Sequence, residues 1–220
     1  MPATVALLIL TIPKHKEGEL IQPTRGTQYE VGIKADLTSN LSATLAAYEI
    51  TKTNILREDP EDTDFSIPIG EVRSRGIEFD IGGKILPGWN IVASAYLNES
   101  IVTVGDEFSP EGDTLAFTPR QGASLWTTYQ IQKGSAKGFG FGAGLFYVAD
   151  RQTYIPNQGG IILPSYVRAD ASLFYKRNDW SVQLNFKNLF STHYFDSSEY
   201  SFGTVPGAPF SVQGTISVRF

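Results

Sequence analysis

Apolar and polar residues alternate with a period of two along most of the chain from Thr27 onward. The clearest segment places five apolar residues on one face: Tyr29, Val31, Ile33, Ala35 and Leu37. Because successive side chains of a strand point to opposite faces, this pattern predicts a β-strand with one apolar and one polar face. Similar segments predict nine strands in all, at residues 29–37, 41–52, 77–81, 89–97, 123–131, 139–147, 167–175, 180–186 and 210–220.

The second predicted strand is less regular than the others. Its apolar positions change register between Ala46 and Tyr48. An extra residue inserted in one strand of an antiparallel pair produces such a change, so the sequence predicts a β-bulge at this point.

The connections between the predicted strands alternate strictly in length. Short connections lie at residues 38–40, 85–88, 132–138 and 176–179, and long ones at 54–71, 103–119, 149–162 and 190–208. The long connections are rich in Pro, Gly, Asp and Ser. Short turns at one end and long loops at the other are typical of transmembrane β-barrels.

The placement of aromatic and charged residues favours lipid over a dry core as the environment of the apolar face. Amphipathic rings suit a membrane interface, and many lie near strand ends: Tyr29, Trp89, Trp126, Tyr129, Tyr147, Tyr175, Trp180 and Phe220. The polar faces carry the charges: Glu30, Lys34, Asp36, Glu78, Asp80, Arg168 and Asp170. The predicted fold is therefore all-β, an antiparallel portion of a transmembrane β-barrel, with a soluble β-sandwich or jelly roll as the alternative.

Composition narrows the functional classes. A net charge of -5 argues against nucleic acid as a partner. The chain has no cysteine, which excludes disulfides and thiolate metal sites. Residues 1–17 contain a short apolar run without a preceding basic residue, so we interpret them as a strand remnant or a disordered segment and not as a signal peptide.

Six segments, in this order, carry a resemblance to the TonB-dependent siderophore receptor family, and the match extends over residues 18–220. They are QPTRGTQYEVGIK (22–34), VRSRGIE (72–78), TPRQGASLW (118–126), LPSYVRADA (163–171), NFKNLF (185–190) and the closing run 206–220. The resemblance implies about nine strands from the C-terminal part of a barrel of about 22 strands in the outer membrane of a Gram-negative cell. It also implies transport of a ferric-siderophore complex, energised through TonB. We expect the plug domain and the TonB-contacting box to be missing from this chain.

Two groups of residues are candidates for sites. Loop aromatics offer flat rings to a bulky ferric chelate, although packing of loop against loop would also explain them: Tyr154, Tyr194, Phe195, Tyr200 and Phe202. The last strand resembles the family's signal for the barrel-assembly machinery, although an ordinary lipid-facing strand has the same alternation: Phe210, Val212, Ile216, Val218 and Phe220.

Catalysis and a resident cofactor or metal are not expected. The acidic loop lacks the glycine and terminal glutamate of a calcium loop: Glu58, Asp59, Glu61, Asp62 and Asp64. His15 and His193 are isolated in the sequence and do not indicate a metal site. The alternate glycines Gly140, Gly142 and Gly144 are interpreted as leaving room for a plug domain. A passive porin-like protein, a structural outer-membrane protein and a non-functional truncated receptor remain alternatives to an active receptor.

Overall fold

The computed structural model describes residues 22–58, 64, 66–68, 70–107, 109–153, 161–198 and 203–219. Within these ranges the chain forms fifteen strands and no α-helix, and thus no helix suited to crossing a membrane. The strands are β1 (Arg25–Thr38), β2 (Leu41–Thr53), β3 (Leu56–Glu58), β4 (Ser66–Pro68), β5 (Glu71–Leu86), β6 (Trp89–Val104), β7 (Gln121–Gln130), β8 (Phe139–Val148), β9 (Arg151–Gln152), β10 (Ile162–Leu163), β11 (Tyr166–Arg177), β12 (Trp180–Lys187), β13 (Phe195–Ser198), β14 (Thr204–Pro206) and β15 (Ser211–Val218).

Nine long strands form one antiparallel sheet in the order β1-β2-β5-β6-β7-β8-β11-β12-β15. Each of the seven strands between the edges pairs with the long strands that precede and follow it along the chain, whereas β1 and β15 form the two edges. Eight antiparallel pairings separate β1 from β15, so the two edge strands run in the same direction. The nine predicted strands are confirmed, and they form one continuous antiparallel sheet instead of the two stacked sheets of a sandwich.

The two ends of the sheet differ in their connections. Residues 39–40, 87–88, 131–138 and 178–179 make the turns of the short-turn end. At Gly88, φ is +85°, and a Cβ there would collide with the carbonyl oxygen of Gln130, so this turn requires glycine. The longer connections, between β2 and β5, β6 and β7, β8 and β11, and β12 and β15, lie at the opposite end, the long-loop end, and their described parts include the hairpins β3/β4, β9/β10 and β13/β14.

The register separates an outer apolar face from an inner polar face. One cross-strand row on the outer face runs through Ile33, Leu45, Phe79, Ala95, Ala123, Tyr147 and Val167. The adjacent row on the inner face runs through Lys34, Thr44, Asp80, Ser94, Ser124, Phe146 and Arg168. A slip of one residue would exchange these two rows, so the pattern of the sequence fixes the pairing.

The predicted bulge between Ala46 and Tyr48 is wrong. The pairing of β2 with β5 runs without interruption from Leu41 to Thr53. Tyr48 lies on the inner face and donates a hydrogen bond from its hydroxyl to Asn98 Oδ1 at 3.3 Å. The apolar pattern changes because an aromatic ring occupies the polar face, while the backbone stays regular.

Outer-face aromatics gather at the short-turn end. Phe139 lies 4.4 Å from Tyr175, and Tyr175 lies 5.3 Å from Trp180, measured between ring centroids. Trp89 and Tyr129 pair across β6 and β7 in the same region. Trp89, Tyr129, Tyr175 and Trp180 lie at strand ends as predicted, and Phe139 joins them in an aromatic band.

Trp126 does not belong to this band, which corrects its predicted place at a membrane interface. It lies on the inner face, because it pairs with Gly144 and Val92 in the register that places Ser124 inward. Its ring covers Gly144 of the neighbouring strand. Trp126 lies in the middle of β7, so both its position along the strand and its face differ from the prediction.

Among the described residues, five of the six most completely buried side chains lie at or near the long-loop end, and the sixth, Ser172, lies in the middle of β11. Val102 and Thr153 are 0% exposed, and Leu163 and Ser109 are 1% exposed. The middle of the sheet has no second layer over it within the described ranges. The loops are therefore packed together into a small core above the sheet.

Candidate functional site

A polar patch occupies the inner face of β2, β5 and β6 near the long-loop end. Asn98 Oδ1 accepts hydrogen bonds from the hydroxyls of Tyr48 at 3.3 Å and Ser74 at 2.9 Å. Asn98 Nδ2 donates to Ser100 Oγ at 3.0 Å, and Ser100 Oγ donates to Ser74 Oγ at 2.9 Å. The four side chains hold one another in fixed positions, as connected polar networks do.

An aromatic and cationic patch lies further around the same face, on β8, β9 and β11. The rings of Tyr166 and Tyr194 stack with centroids 4.4 Å apart and planes inclined by 28°. The guanidinium carbon of Arg151 lies 6.0 Å from the Tyr166 ring centroid, and that of Arg168 lies 4.7 Å from the Phe146 centroid. Guanidinium groups over ring faces gain cation–π attraction, which fixes the orientation of both partners.

Arg151 connects this patch to the last long loop. Its side chain is 8% exposed, and Nη2 donates to the carbonyl oxygens of Phe195 at 2.8 Å and Asp196 at 2.9 Å. Hydrogen bonds to a charged donor are stronger than those between neutral groups. The hairpin β13/β14 is therefore held against β9, at the long-loop end of the inner face.

Asn188 fixes the start of the same loop. It is 1% exposed and adopts a left-handed backbone conformation with φ of 53°. Its Nδ2 donates to the carbonyl oxygens of Thr192 and Ala208, both at 3.0 Å, and its Oδ1 accepts from the Thr192 N–H at 2.8 Å. The side chain thereby joins both ends of the loop.

Asp170 anchors this arrangement to β11. It accepts hydrogen bonds from Arg168 Nε and Nη2, both at 3.1 Å, and from the backbone N–H of Asn188 at 2.8 Å. A carboxylate that binds both nitrogens of a guanidinium fixes its geometry. The charged pair orients Arg168 and also positions the loop.

The inner-face glycines of β8 do not leave an empty space, contrary to the interpretation from sequence. A Cβ on Gly140 would collide with the Phe174 ring, and one on Gly144 would collide with the Trp126 ring. Rings from β7 and β11 occupy the room beside the glycines. The glycines permit close packing of aromatic side chains within the sheet.

Two of the five predicted loop aromatics fall within the described residues. Tyr194 lies between the Tyr166 ring and Gly207, and Phe195 pairs with Pro206 in β13/β14. Both side chains are half-buried. Tyr154, Tyr200 and Phe202 lie outside the described residues.

Four of the predicted assembly residues are exposed on the last strand or directly before it. Val212, Ile216 and Val218 share the outer face of β15, and Phe210 precedes the strand. Phe220 lies outside the described residues.

Sequence reasoning missed Arg151 and Tyr166 as parts of the inner-face patch. Arg151 belongs to a two-residue strand within a long loop, where no alternation exists to assign a face. Tyr166 has the same alternation as Arg168 and Asp170, which was a usable signal. The side chains of Arg168 and Asp170 lie on the predicted face.

Metal-binding groups of three or more His, Cys, Asp or Glu residues do not occur in the part of the chain that the structure describes. His193 is an exposed loop residue. His15 and most of the acidic loop, Asp59, Glu61 and Asp62, lie outside the described residues.

Comparisons with known proteins agree with the all-β fold. Residues 17–189 match the family described as TonB dependent receptor-like, beta-barrel. The chain belongs to this family. The match confirms the TonB-dependent receptor resemblance found in the sequence.

Two curated relatives illustrate the family. The ferrichrome outer membrane transporter/phage receptor of Escherichia coli is 32% identical over 211 residues, which cover 93% of this chain and 28% of the relative. The ferrioxamine B receptor of Salmonella typhimurium is 29% identical, with 93% of this chain and 30% of the relative covered. TonB-dependent receptors of this kind are receptors and transporters of the outer membrane, not enzymes.

Solved structures show the same fold. The siderophore receptor PiuA from Acinetobacter baumannii matches with a TM-score of 0.71 and 26% identity, covering 88% of this chain and 28% of that chain. The ferripyoverdine receptor of Pseudomonas aeruginosa matches with a TM-score of 0.76 and 21% identity, covering 94% and 28%. This TonB-dependent receptor chain thus spans less than a third of the length of the relatives it matches.

Proposed function

We propose that residues 18–220 form the C-terminal part of the barrel of an outer-membrane receptor that imports ferric siderophores with energy from TonB. The observation that carries this proposal is the nine-stranded sheet with a polar inner face, in a chain whose relatives are named for ferrichrome and ferrioxamine B. The plug domain, the TonB contact and the remaining strands belong to other parts of the complete receptor.

In this proposal the outer face contacts the lipid of a Gram-negative outer membrane. The exposed apolar row through Ile33, Phe79 and Val167 supports this placement, as does the aromatic band at the short-turn end. By the usual arrangement of such barrels, the short-turn end faces the periplasm and the long-loop end faces the outside.

The proposed ligand contacts lie at the long-loop end. Tyr194 and Phe195 are carried by a loop that Arg151 and Asn188 hold beside the inner face, and Tyr154, Tyr200 and Phe202 belong to the same set of long loops. Flat rings pack well against a bulky chelate and lose little conformational entropy on binding. The stack of Tyr194 on Tyr166 also gives the ring a packing role within the receptor.

The last strand has a second proposed partner, the barrel-assembly machinery. Val212, Ile216 and Val218 present an apolar row on an edge strand with one unpaired side, and Phe210 and Phe220 continue this alternation. An edge strand with free backbone groups is available for pairing with another sheet.

Uptake of iron tests the function directly. A strain lacking the complete receptor should lose uptake of radioactive iron supplied as a ferric siderophore, and the restored gene should recover it. Collapse of the inner-membrane potential should abolish the recovered uptake. Uptake that continues without that potential would favour the porin-like alternative.

The contribution of the loop aromatics is tested separately. Tyr194→Ala in the complete receptor should weaken chelate binding, while Tyr29→Ala, on the outer face, should leave binding unchanged. Equal binding by both variants and the parent would assign Tyr194 to loop packing alone.

A further inference from the structure

A cavity of about 510 Å³ lies at the short-turn end, between the β7–β8 turn and the β11–β12 turn. Its lining includes Gln130, Gln132, Lys137, Tyr175, Lys176 and Arg177. The cavity is remote from the long loops that carry the proposed ligand contacts. Its chemistry therefore requires a separate explanation.

The charge of this cavity is one-sided. Three of its lining residues are cations, Lys137, Lys176 and Arg177, and none is acidic. All three are exposed, and within the described residues none forms an ion pair with a carboxylate. Lys133 adds a further positive charge in the β7–β8 turn, and Asp179 is the single acid of the two turns.

The local charge is opposite to that of the whole molecule, which carries a net charge of -5. The amides of the cavity are partly used within the protein, because Gln130 Nε2 donates to the Gly138 carbonyl oxygen and Gln132 Nε2 donates to the Gln130 carbonyl oxygen, at 3.4 and 2.8 Å. The ammonium and guanidinium groups remain available to an anion.

The cavity also adjoins the outer-face aromatic band. Tyr175 lines the cavity, and its ring lies 4.4 Å from Phe139 and 5.3 Å from Trp180. Phe139 and Phe141 are 53% and 55% exposed on the outer face. A cationic cavity thus borders an exposed apolar surface.

We propose that this cavity binds the phosphate headgroup of an anionic phospholipid, whose acyl chains lie along the outer face beside Phe139 and Trp180. The proposal rests on the membrane placement proposed above, with the short-turn end on the periplasmic side. Lysine and arginine form short, charge-assisted hydrogen bonds with phosphate oxygens, and aromatic rings suit the headgroup level of a bilayer. The adjoining apolar surface favours a lipid over free phosphate, since an inorganic ion leaves that surface unused.

Lipid retention by the complete receptor tests the proposal. The receptor is equilibrated in detergent with equal amounts of phosphatidylglycerol and phosphatidylethanolamine, and the bound lipid is counted by native mass spectrometry. The test variant combines Lys137→Gln, Lys176→Gln and Arg177→Gln. A matched control combines Arg25→Gln, Lys52→Gln and Arg120→Gln, three exposed cations toward the long-loop end.

The test variant should retain at least about tenfold less phosphatidylglycerol than the parent. Each cation near an anionic lipid surface increases the affinity for the anionic lipid roughly fivefold. The control should retain the parental amount, and neither variant should change binding of phosphatidylethanolamine. A variant with Lys137→Arg, Lys176→Arg and Arg177→Lys keeps the charges and should restore retention.

Three results would overturn the inference. If the test variant retained as much phosphatidylglycerol as the parent, the cavity would be excluded as the lipid site. If both variants lost equal amounts, the effect would be one of overall charge. Full displacement by inorganic phosphate at ordinary ionic strength would show a simple anion site. A receptor that stays dissolved without detergent would instead contradict the proposed membrane placement, which is a separate failure.

Discussion

At the scale of single residues, small and large side chains are matched across neighbouring strands of the inner face. Trp126 covers Gly144, Phe174 covers Gly140, and Tyr96 covers Gly122. A ring packed over a glycine shields the exposed backbone of the strand beside it. The glycines are therefore required by their neighbours and not by their own backbone conformation.

Replacement of Gly144 by Ala should destabilise the complete receptor. The new Cβ collides with the Trp126 ring, and such overpacking costs typically about 1–3 kcal/mol. The midpoint of urea unfolding, followed by tryptophan fluorescence, measures the change. Gly82→Ala is the matched control, since nothing lies within 4 Å of its new Cβ, and a loss as large as that of Gly144→Ala would refute the explanation.

Asn188 offers a second test at this scale. Asn188→Ala should cost roughly 2–4 kcal/mol, because several buried hydrogen-bonding groups lose their partner. Glycine tolerates the left-handed backbone, so Asn188→Gly should recover only that part of the stability lost in Asn188→Ala that comes from backbone strain. Limited proteolysis within residues 188–210 checks the result, and unchanged cleavage in both variants would contradict the anchoring role.

Individual residues were predictable where alternation assigns a face. Glu78, Asp80, Arg168 and Asp170 all lie inward as their positions required. Trp126 was misplaced because its aromatic character was weighed above its alternation with Leu125. Arg151 carries no sequence signal, since its role depends on carbonyl groups of a distant loop.

At the scale of elements, the strands were predictable because each repeats the same alternation over many residues. All nine long strands and the alternating lengths of their connections were anticipated. The hairpins β3/β4, β9/β10 and β13/β14 were not anticipated, since strands of two to four residues are too short to show a period.

The two faces of one strand predict opposite responses to a charge. Phe79→Arg, near the middle of β5 on the outer face, should destabilise the folded receptor in a bilayer by about 2–4 kcal/mol. Glu78→Gln, on the adjacent inner position, is the control and should change stability little. Refolding into vesicles measures both, and equal tolerance of the two changes would contradict a lipid-facing outer row.

The terminal strand predicts an effect on assembly. Deletion of Phe220 from the complete receptor should lower the amount found in the outer membrane, because the alternation of Val212, Ile216 and Val218 then ends without its last aromatic residue. Quantitative blotting of membrane fractions measures the change, with Arg219→Gln as the control. Unchanged assembly after the deletion would leave β15 as an ordinary strand of the barrel.

At the scale of the whole molecule, the sheet has two edges with unpaired backbone groups. All residues of β1 and all residues of β15 are exposed. Unpaired backbone groups in hydrocarbon cost several kcal/mol each, so an open sheet is unstable in a bilayer. Further strands must cover both edges in a membrane-inserted state.

The chain produced without further strands should therefore fail to form a stable barrel. Refolded into vesicles, it should remain sensitive to protease and should not show the heat-dependent gel mobility of a folded barrel. The complete receptor, treated in the same way, provides the control. Protection of the isolated chain would show that its edges are closed by some other pairing.

Because β1 and β15 run in the same direction, they also restrict the number of further strands that can close the sheet into a barrel. Antiparallel pairing at both edges needs a complementary piece whose first and last strands both run opposite to them, and only an odd number of strands satisfies this. If two copies of this chain were inserted with the same orientation, β15 of one copy would meet β1 of the other as a parallel and not an antiparallel partner. A split receptor assembled from this chain should accordingly reconstitute with fragments of odd strand count and reject those of even count.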